Sequence, residues 1–331
     1  MNLQQRIETF AKLGEKLANL PEDEFKLISV NAQSLNPWFT EDNVRLAFEG
    51  LVSYLDKKNL KKWVSNYSFD DVKSKNIGIV MAGNIPLVGF HDYLSALISG
   101  HSVIAKLSSS DKYLLPVIHK MLVEIDSYFS DKVQFVERLE EVDAYIATGS
   151  DNSARYFEHY FAKKPNIIRK NRTSIAVLTG NETAEELKEL SKDIFNYFGL
   201  GCRNVTFLLV PDNYKWDSLY ESCQHWEDVI HHTKYCNNYE YCRSVLLVKM
   251  VPFFDNNFLI IKKDEALNSA ISVLNFKNYG SDKEVTDFLS INENNTQCIV
   301  GKDHLPFGTA QNPNVWDYAD GVDTLAFLTN L

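Results

Sequence analysis

The stretch from residue 76 to residue 111 constrains the fold of this chain most strongly. An apolar run at 76–82 has the length of a buried strand and passes into the turn sequence Gly83-Asn84-Ile85-Pro86. Apolar residues then recur at helical spacing over 87–97, Gly100 ends that helix, and a second apolar run occupies 102–106. A strand, a helix and a second strand in this order are typical of a parallel sheet.

The alternation of strand and helix patterns continues along the chain and falls into two groups. The first group adds strands at 133–136, 144–147 and 174–178, and helices at 114–128 and 151–162. After Thr183, a second group contains strands at 206–210, 244–248, 258–261 and 272–276. We therefore predict an α/β protein with two successive units, without internal repeats or a long linker between them.

Cys202 stands between a helix pattern and a strand pattern. Thr183 and Glu186 have the spacing of a capping box, and Gly199 fits the end of the helix that they begin. Gly201 precedes the cysteine directly, and a cysteine in such a turn can present its sulfur with little backbone bulk around it. This setting favours a nucleophile. The alternative is a small structural side chain, since unpaired cysteines are usually buried.

Asn84 follows the first strand, at the end where open α/β sheets place ligand-binding groups. Its carboxamide could donate a hydrogen bond to a developing oxyanion. Asparagine is also common at helix caps and in tight turns for purely local reasons. The residue by itself leaves both interpretations open.

Taken in order, these segments resemble motifs of the aldehyde dehydrogenase superfamily, and within it the LuxC-type fatty acyl-CoA reductases. The resemblance extends over residues 70–331, and the first 70 residues match only as helical material. Gly83-Asn84-Ile85-Pro86-Leu87 is similar to the oxyanion motif, Lys106-Leu107-Ser108-Ser109-Ser110-Asp111 to the cofactor-ribose segment, and Thr148-Gly149-Ser150 to the phosphate-side turn. Gly201-Cys202 is similar to the nucleophile motif, and 306–308 with 317–324 to the stretch before the final intersubunit strand.

The resemblance implies an aldehyde-dehydrogenase-like fold with four parts. These are a helical segment (1–70) packed on a Rossmann-like cofactor domain (71–180), a catalytic domain (181–305), and a C-terminal return with a short oligomerisation strand (306–331). It also implies that Cys202 attacks an acyl thioester, either acyl-CoA or an acyl-carrier protein, and that Asn84 steadies the oxyanion. The residues implied in binding the cofactor are Gly83, Lys106, Ser108, Thr148, Gly149 and Ser150.

The cofactor itself comes from the resemblance alone, because no Gly-x-Gly-x-x-Gly motif follows a predicted strand. Lys106 favours NADPH over NADH, since a lysine tolerates the additional 2′-phosphate. Hydrolytic members of the superfamily carry a glutamate one strand before the nucleophile, to activate water. The corresponding stretch here, 167–174, contains no carboxylate. An enzyme that reduces an acyl group has no use for activated water, so the gap favours acyl reduction over oxidation to an acid.

Composition argues against several other classes of protein. The formal net charge is −10 over 331 residues with no strongly basic patch, which argues against a nucleic-acid-binding protein. No apolar run reaches the roughly 20 residues of a membrane span. Five cysteines without regular spacing indicate reduced thiols and a cytoplasmic protein. The group His231, His232, Cys236 and Cys242 matches no zinc spacing, so we predict no metal.

Two other functions and one assembly remain to be considered. The scaffold could act on an acyl phosphate instead of a thioester, or it could bind an acyl carrier or a partner without catalysis. The basic residues Arg169, Lys170 and Arg172, with 163–164 before them, could attract an anionic carrier or form a solvated loop. The apolar run at 322–328 predicts a strand that pairs with a second copy of the chain, and therefore a homodimer.

Overall fold

The computed structural model describes residues 1–331, apart from the side chain of Asp151. Its helices are α1 (Leu3–Ala18), α2 (Glu22–Leu35), α3 (Glu41–Tyr54), α4 (Lys57–Val64), α5 (Phe90–Ile98), α6 (Leu114–Ile125), α7 (Asp151–Phe161), α8 (Ala184–Phe195), α9 (Asp217–Cys223), α10 (Thr233–Val248), α11 (Asp282–Ile291) and α12 (Thr324–Thr329). Its strands are β1 (Asn76–Val80), β2 (Ser102–Lys106), β3 (Val133–Phe135), β4 (Ala144–Thr148), β5 (Asn166–Arg169), β6 (Thr173–Val177), β7 (Val205–Pro211), β8 (Phe254–Asp255), β9 (Ile260–Lys263), β10 (Val273–Tyr279) and β11 (Thr296–Gly301).

The chain forms two compact units, and the first comprises 1–171 together with 314–331. It contains a parallel sheet in the order β3-β2-β1-β4-β5. Successive strands run outward from β1 to β3, and the chain then returns to the other side of β1 as β4. This reversal is the topological switch of dinucleotide-binding sheets, so the predicted Rossmann-like order is confirmed.

Amphipathic helices precede this sheet, as predicted for residues 1–70. Helix α1 begins with a capping box between Asn2 and Gln5, which satisfies two backbone N–H groups at its start. Its apolar face is fully buried at Phe10 and Leu13, and the helix contacts α3, α4 and α6. Among the described residues, no helix combines the length and the apolar character that crossing a membrane requires.

The second unit comprises 172–313 and contains a sheet in the order β11-β6-β7-β10-β9-β8. Only β8 runs antiparallel to its neighbour among the described strands. One face of this sheet packs Ile175, Phe207 and Leu209 against α11, whose Phe288 stacks on Phe207. Strand β7 is central and buried through most of its length, which places the loop before it at a fixed point of the unit.

The prediction that 174–178 belongs to the first sheet was wrong. This segment is β6, and it pairs with β7 and β11 in the second sheet. The second unit therefore begins at Arg172, whereas the sequence placed the boundary after residue 180. An apolar strand carries no local sign of which sheet it joins, because that depends on pairing with distant strands.

The predicted strand at 244–248 was also wrong. These residues form the last turns of α10, a 16-residue helix that His232 caps by accepting the N–H of Tyr235. Tyr235, Tyr239 and Leu246 are its buried residues, whereas Val248 is 83% exposed. The run is rich in strand-favouring residues, but it continues a helix that is already nucleated upstream.

The predicted oligomerisation strand at 322–328 does not exist. Asp323 instead accepts the N–H of Ala326 and caps the short helix α12. Leu325 and Leu328 of this helix are fully buried in the first unit, where α12 packs on α5. Two of the leucines that suggested a partner chain are therefore covered within the same chain, whereas Val322 remains 39% exposed. The homodimer stays a prediction, without this interface to support it.

Candidate functional site

The segments predicted to bind cofactor meet at one edge of the first sheet. The register aligns Val80 of β1 with Lys106 of β2 on one side and with Ala147 of β4 on the other. These positions lie at the carboxyl ends of three parallel strands, and the segments that carry Asn84, Ser108 and Gly149 follow them directly. In a sheet with this strand order, ligands bind in the crevice outside this edge, next to the strand where the order reverses.

The turn after β1 lies tightly against the segment after β2. A Cβ on Gly83 would stand 2.6 Å from the Cβ of Ser108, so only glycine fits this close approach. The buried carboxylate of Asp111 accepts the N–H of Leu87 (3.1 Å) and the N–H of Leu114 (3.3 Å). Asp111 thereby fastens the turn to the start of α6, and burial raises the pKa of its carboxyl. The sequence placed Asp111 in a motif but did not predict this role.

Asn84 and Lys106 are both exposed, as groups that meet a ligand must be. The turn after β4 is held differently: the N–H of Gly149 donates to the carbonyl of Arg169 at 3.3 Å, and the hydroxyl of Ser150 caps α7. A Cβ on Gly149 would lie 2.9 Å from both Ser153 and Phe157, so this turn too depends on glycine. Ser150 and Gly149 thus stand at the N-terminus of a helix, which favours anions such as phosphate.

Cys202 lies in the second unit, in the loop between α8 and β7. The capping box of Thr183 and Glu186 begins α8 as predicted, with Leu187, Leu190 and Ile194 among its buried residues. The helix ends at Phe195, four residues before the predicted Gly199, because Asn196 has a non-helical ψ of 138° and the three residues after it have positive φ angles. The side chain of Cys202 is exposed, so the alternative of a buried structural cysteine is wrong.

The backbone around Cys202 is held by groups from neighbouring strands and loops. The hydroxyl of Ser174 on β6 donates to the carbonyl of Cys202 at 3.1 Å and lies 3.0 Å from the sulfur of Cys298. Arg203 donates to the carbonyl of Ala310 at 3.4 Å. The buried side chain of Asn204 accepts the backbone N–H of Gly201, the residue before the cysteine. Sequence reasoning did not identify Ser174, Asn204 or Cys298, because their roles depend on distant pairing.

Asp193, near the end of α8, binds the segment that contains the predicted motif at 306–308. Its buried carboxylate accepts the N–H groups of Gly308 (2.6 Å) and Ala310 (2.9 Å). Burial raises the pKa of Asp193 to about 6, although these two hydrogen bonds act in the opposite direction. The sequence did not predict this role of Asp193. Its one signal was a charged residue next to the buried apolar residues of the helix.

Replacement of Asp193 is expected to change how stability depends on pH. The folded chain holds this proton more tightly than the unfolded chain between about pH 4 and pH 6, so this carboxyl makes the free energy of unfolding fall as pH rises through that window. A shift of this size corresponds to about 3 kcal/mol. In Asp193→Asn, urea unfolding should show a flatter profile from pH 4 to pH 6 than the wild type or the exposed control Asp131→Asn. Equal slopes in all three proteins would contradict the assignment.

The three basic residues that could attract an anionic carrier or form a solvated loop each contact another part of the chain. Arg169 is buried, and its guanidinium contacts Asp92 (2.5 Å) and the hydroxyl of Thr324 (2.8 Å). Lys170 pairs with Glu158 at 2.8 Å, and Arg172 donates to the carbonyl of Thr296 at 3.2 Å. The side chains in this stretch are mostly committed to contacts within their own units.

A comparison with protein families identifies the chain. The model of the acyl-CoA reductases of the LuxC type matches residues 10–219, a range that includes both Asn84 and Cys202. The chain belongs to this family. The resemblance inferred from the sequence motifs is thereby confirmed, and the chemistry of the family is that of an oxidoreductase acting on acyl or aldehyde groups. No curated protein matches the chain.

Solved structures support the aldehyde dehydrogenase fold. An indole-3-acetaldehyde dehydrogenase from P. syringae, solved with NAD⁺ and IAA, is 13% identical and superposes with a TM-score of 0.67. The match covers 91% of this chain and 72% of the dehydrogenase. Aldehyde dehydrogenase C from Pseudomonas syringae, solved with NAD⁺ and octanal, is 13% identical with a TM-score of 0.63 and the same coverage. An aldehyde dehydrogenase from Physcomitrella patens, solved with succinate, is 13% identical with a TM-score of 0.66. The match covers 100% of this chain and 84% of that dehydrogenase. At these identities the likeness establishes the fold alone.

Proposed function

We propose that this protein reduces an acyl thioester to an aldehyde, with NADPH as reductant and Cys202 as the residue that carries the acyl group. The observation that carries this proposal is the exposed thiol of Cys202, at the position of the nucleophile motif in a chain of the acyl-CoA reductase family. The acyl donor is acyl-CoA or an acyl-carrier protein.

Cys202 acts as a thiolate that attacks the carbonyl carbon of the thioester. The carbon–sulfur bond to the carrier breaks, the carrier thiolate leaves, and the acyl group remains on Cys202 as a new thioester. After reduction, Cys202 carries a hemithioacetal, whose collapse releases the aldehyde and returns the thiolate. Asn84 and the backbone N–H of Cys202 are the proposed donors to the oxyanion, and loss of one such donor typically costs about 10²–10³ in rate.

A nicotinamide cofactor is supported by the first unit and by the aldehyde dehydrogenases solved with NAD⁺. Gly83 and Gly149 let the turns after β1 and β4 pack closely at the edge where the strand order reverses, which is the proposed position of the cofactor. When bound, the reduced cofactor supplies hydride. Lys106 and Ser108 would hold the adenosine ribose and its 2′-phosphate, and the exposed ammonium of Lys106 is the reason to prefer NADPH to NADH. Gly83, Thr148, Gly149 and Ser150 complete the proposed set.

The direction of the reaction follows from the stretch at 167–174, which lacks the carboxylate of hydrolytic relatives. Arg169 in this stretch is a guanidinium ion paired with Asp92, and a guanidinium is not a general base. Without a carboxylate in this stretch to activate water, the acyl group on Cys202 is expected to survive until it is reduced.

Aldehyde oxidation should therefore depend on CoA. With NADP⁺ and an aldehyde, the protein is expected to form acyl-CoA when free CoA is present and to release little free acid when it is absent. Chromatography of the acyl products, with and without CoA, checks this. Rapid acid formation without CoA would show that the chain provides a base for water and would contradict the assignment as a reductase.

The assay in the forward direction uses NADPH and a series of acyl-CoA esters from acetyl to palmitoyl. Aldehyde formation in step with the loss of NADPH absorbance is the expected result. Acyl phosphates are the comparison substrates, because CoA should inhibit reduction of a thioester as a product and should leave reduction of an acyl phosphate largely unaffected. Turnover of acyl phosphates alone would replace the thioester in this proposal.

A further inference from the structure

The loop that carries Cys202 is fastened by one buried side chain, that of Asn204. Its Oδ1 accepts the N–H of Gly201 at 2.8 Å, and its own backbone N–H donates to the carbonyl of Gly201 at 3.0 Å. Both polar backbone groups of the residue before Cys202 are thus bound by the residue two positions after it. Asn204 is fully buried, so these bonds do not compete with water.

The carboxamide nitrogen of Asn204 binds the end of α8. It lies 3.0 Å from the carbonyl of Asp193, 3.3 Å from that of Ile194 and 2.8 Å from that of Asn196. The last carbonyls of a helix have no partners within the helix, and here the left-handed turn at 197–199 directs the chain away from them. One side chain therefore joins the end of α8 to the N–H of Gly201, the residue before Cys202.

The remaining backbone group of Asn204 joins the same loop to the sheet. Its carbonyl accepts the N–H of Ser174 at 3.3 Å, at the start of the pairing between β6 and β7. The hydroxyl of Ser174 also binds the carbonyl of Cys202. The segment from Gly201 to Asn204 is therefore fixed to α8 and to β6, while the thiol between these anchors is exposed.

We infer that Asn204 is a positioning residue for Cys202: its side chain holds the N–H of Gly201, its backbone N–H holds the carbonyl of the peptide between Gly201 and Cys202, and together they fix the direction of the thiol and of the Cys202 N–H. This deepens the proposed function and rests on it for the catalytic consequence. A displacement of about 1 Å at a reacting group can cost about 10² in rate, so loosening this peptide should slow acyl transfer rather than substrate binding.

The chain offers a matched control in Asn275. This asparagine is also buried in the second unit, and its carboxamide nitrogen binds the carbonyls of Ala266 (2.8 Å) and Asn268 (3.3 Å). The hydrogen bonds of its side chain go to these two carbonyls and not to the Cys202 loop. Asn204→Ala and Asn275→Ala each remove hydrogen bonds from a buried carboxamide to backbone carbonyls, so both should lower stability.

The test combines two measurements on the full chain. Hydrogen exchange of peptides covering 199–205 should accelerate by about tenfold or more in Asn204→Ala and stay unchanged in Asn275→Ala. Single-turnover acylation by acyl-CoA should slow by about 10² in Asn204→Ala, with KM for acyl-CoA within about threefold, and remain near wild type in Asn275→Ala.

A second variant covers the case in which Asn204→Ala does not fold. Asn204→Asp keeps an acceptor for the N–H of Gly201 and should acylate faster than any variant that lacks this acceptor, such as Asn204→Val. Equal acylation by Asn204→Ala, Asn275→Ala and wild type would overturn the inference. If instead Cys202→Ala remained active, the proposed function would fail, and the exchange measurement would still decide whether Asn204 fixes the loop.

Discussion

Cys202→Ala is expected to lower the rate of acyl-CoA reduction by at least about 10⁴-fold, because the thiolate that accepts the acyl group is lost and no step can replace it. The exposed position of this side chain means that alanine removes few packing contacts. Thermal unfolding should therefore be nearly unchanged. The measurement is the steady-state rate with NADPH and acyl-CoA, alongside a melting curve of the same preparation.

Cys298→Ala is the matched control. Its sulfur lies 3.0 Å from the Ser174 hydroxyl that binds the Cys202 carbonyl. Cys298 is on β11, and burial raises the pKa of its thiol, which leaves little thiolate to react. This variant should keep most of its activity. Retention of activity in Cys202→Ala together with loss in Cys298→Ala would transfer the nucleophile to β11.

The second large effect is expected on stability, at the buried ion pair between Arg169 and Asp92. Both side chains are shielded from water, and the guanidinium also binds Thr324 of α12. Asp92→Ala leaves a buried guanidinium without its counter-charge, which typically costs about 3–5 kcal/mol. Urea unfolding of the variant should show this loss, with a control in Lys170→Ala, whose exposed pair with Glu158 is worth less than about 1 kcal/mol.

The double variant Asp92→Leu with Arg169→Met distinguishes the cost of an unpaired buried charge from the loss of packing at this position. Because it removes both charges and leaves apolar groups of similar volume, it should be more stable than Asp92→Ala. If Asp92→Ala and Lys170→Ala had the same free energy of unfolding, Asp92 would not be needed to balance the charge of Arg169. The contact that joins α5 and α12 to the end of β5 would then contribute little to stability.

Several elements of both units could be predicted from local patterns. Strand β2 was predicted with its observed ends, β1 lies within the predicted apolar run, and α8 begins at the predicted capping box. In these segments short-range chemistry and tertiary structure agree. The exposed Asn84 and Cys202 were located because they sit at turns between such segments.

Other features could not be predicted because they depend on distant partners. The run at 244–248 favours a strand locally, yet it completes a helix, and α12 buries its apolar residues against α5 rather than against a second chain. The assignment of β6 to the second sheet depends on β7 and β11. Asn204 resembled any polar residue before a strand, and its role appears only once the end of α8 lies beside it.

The most direct test of the account is mass spectrometry of the protein mixed with acyl-CoA in the absence of NADPH. We expect the intact mass to increase by one acyl group, the peptide that contains Cys202 to carry it, and added NADPH to discharge it as aldehyde. An acyl group found on another residue, or aldehyde formed at full rate while Cys202 is never acylated, would contradict the central claim.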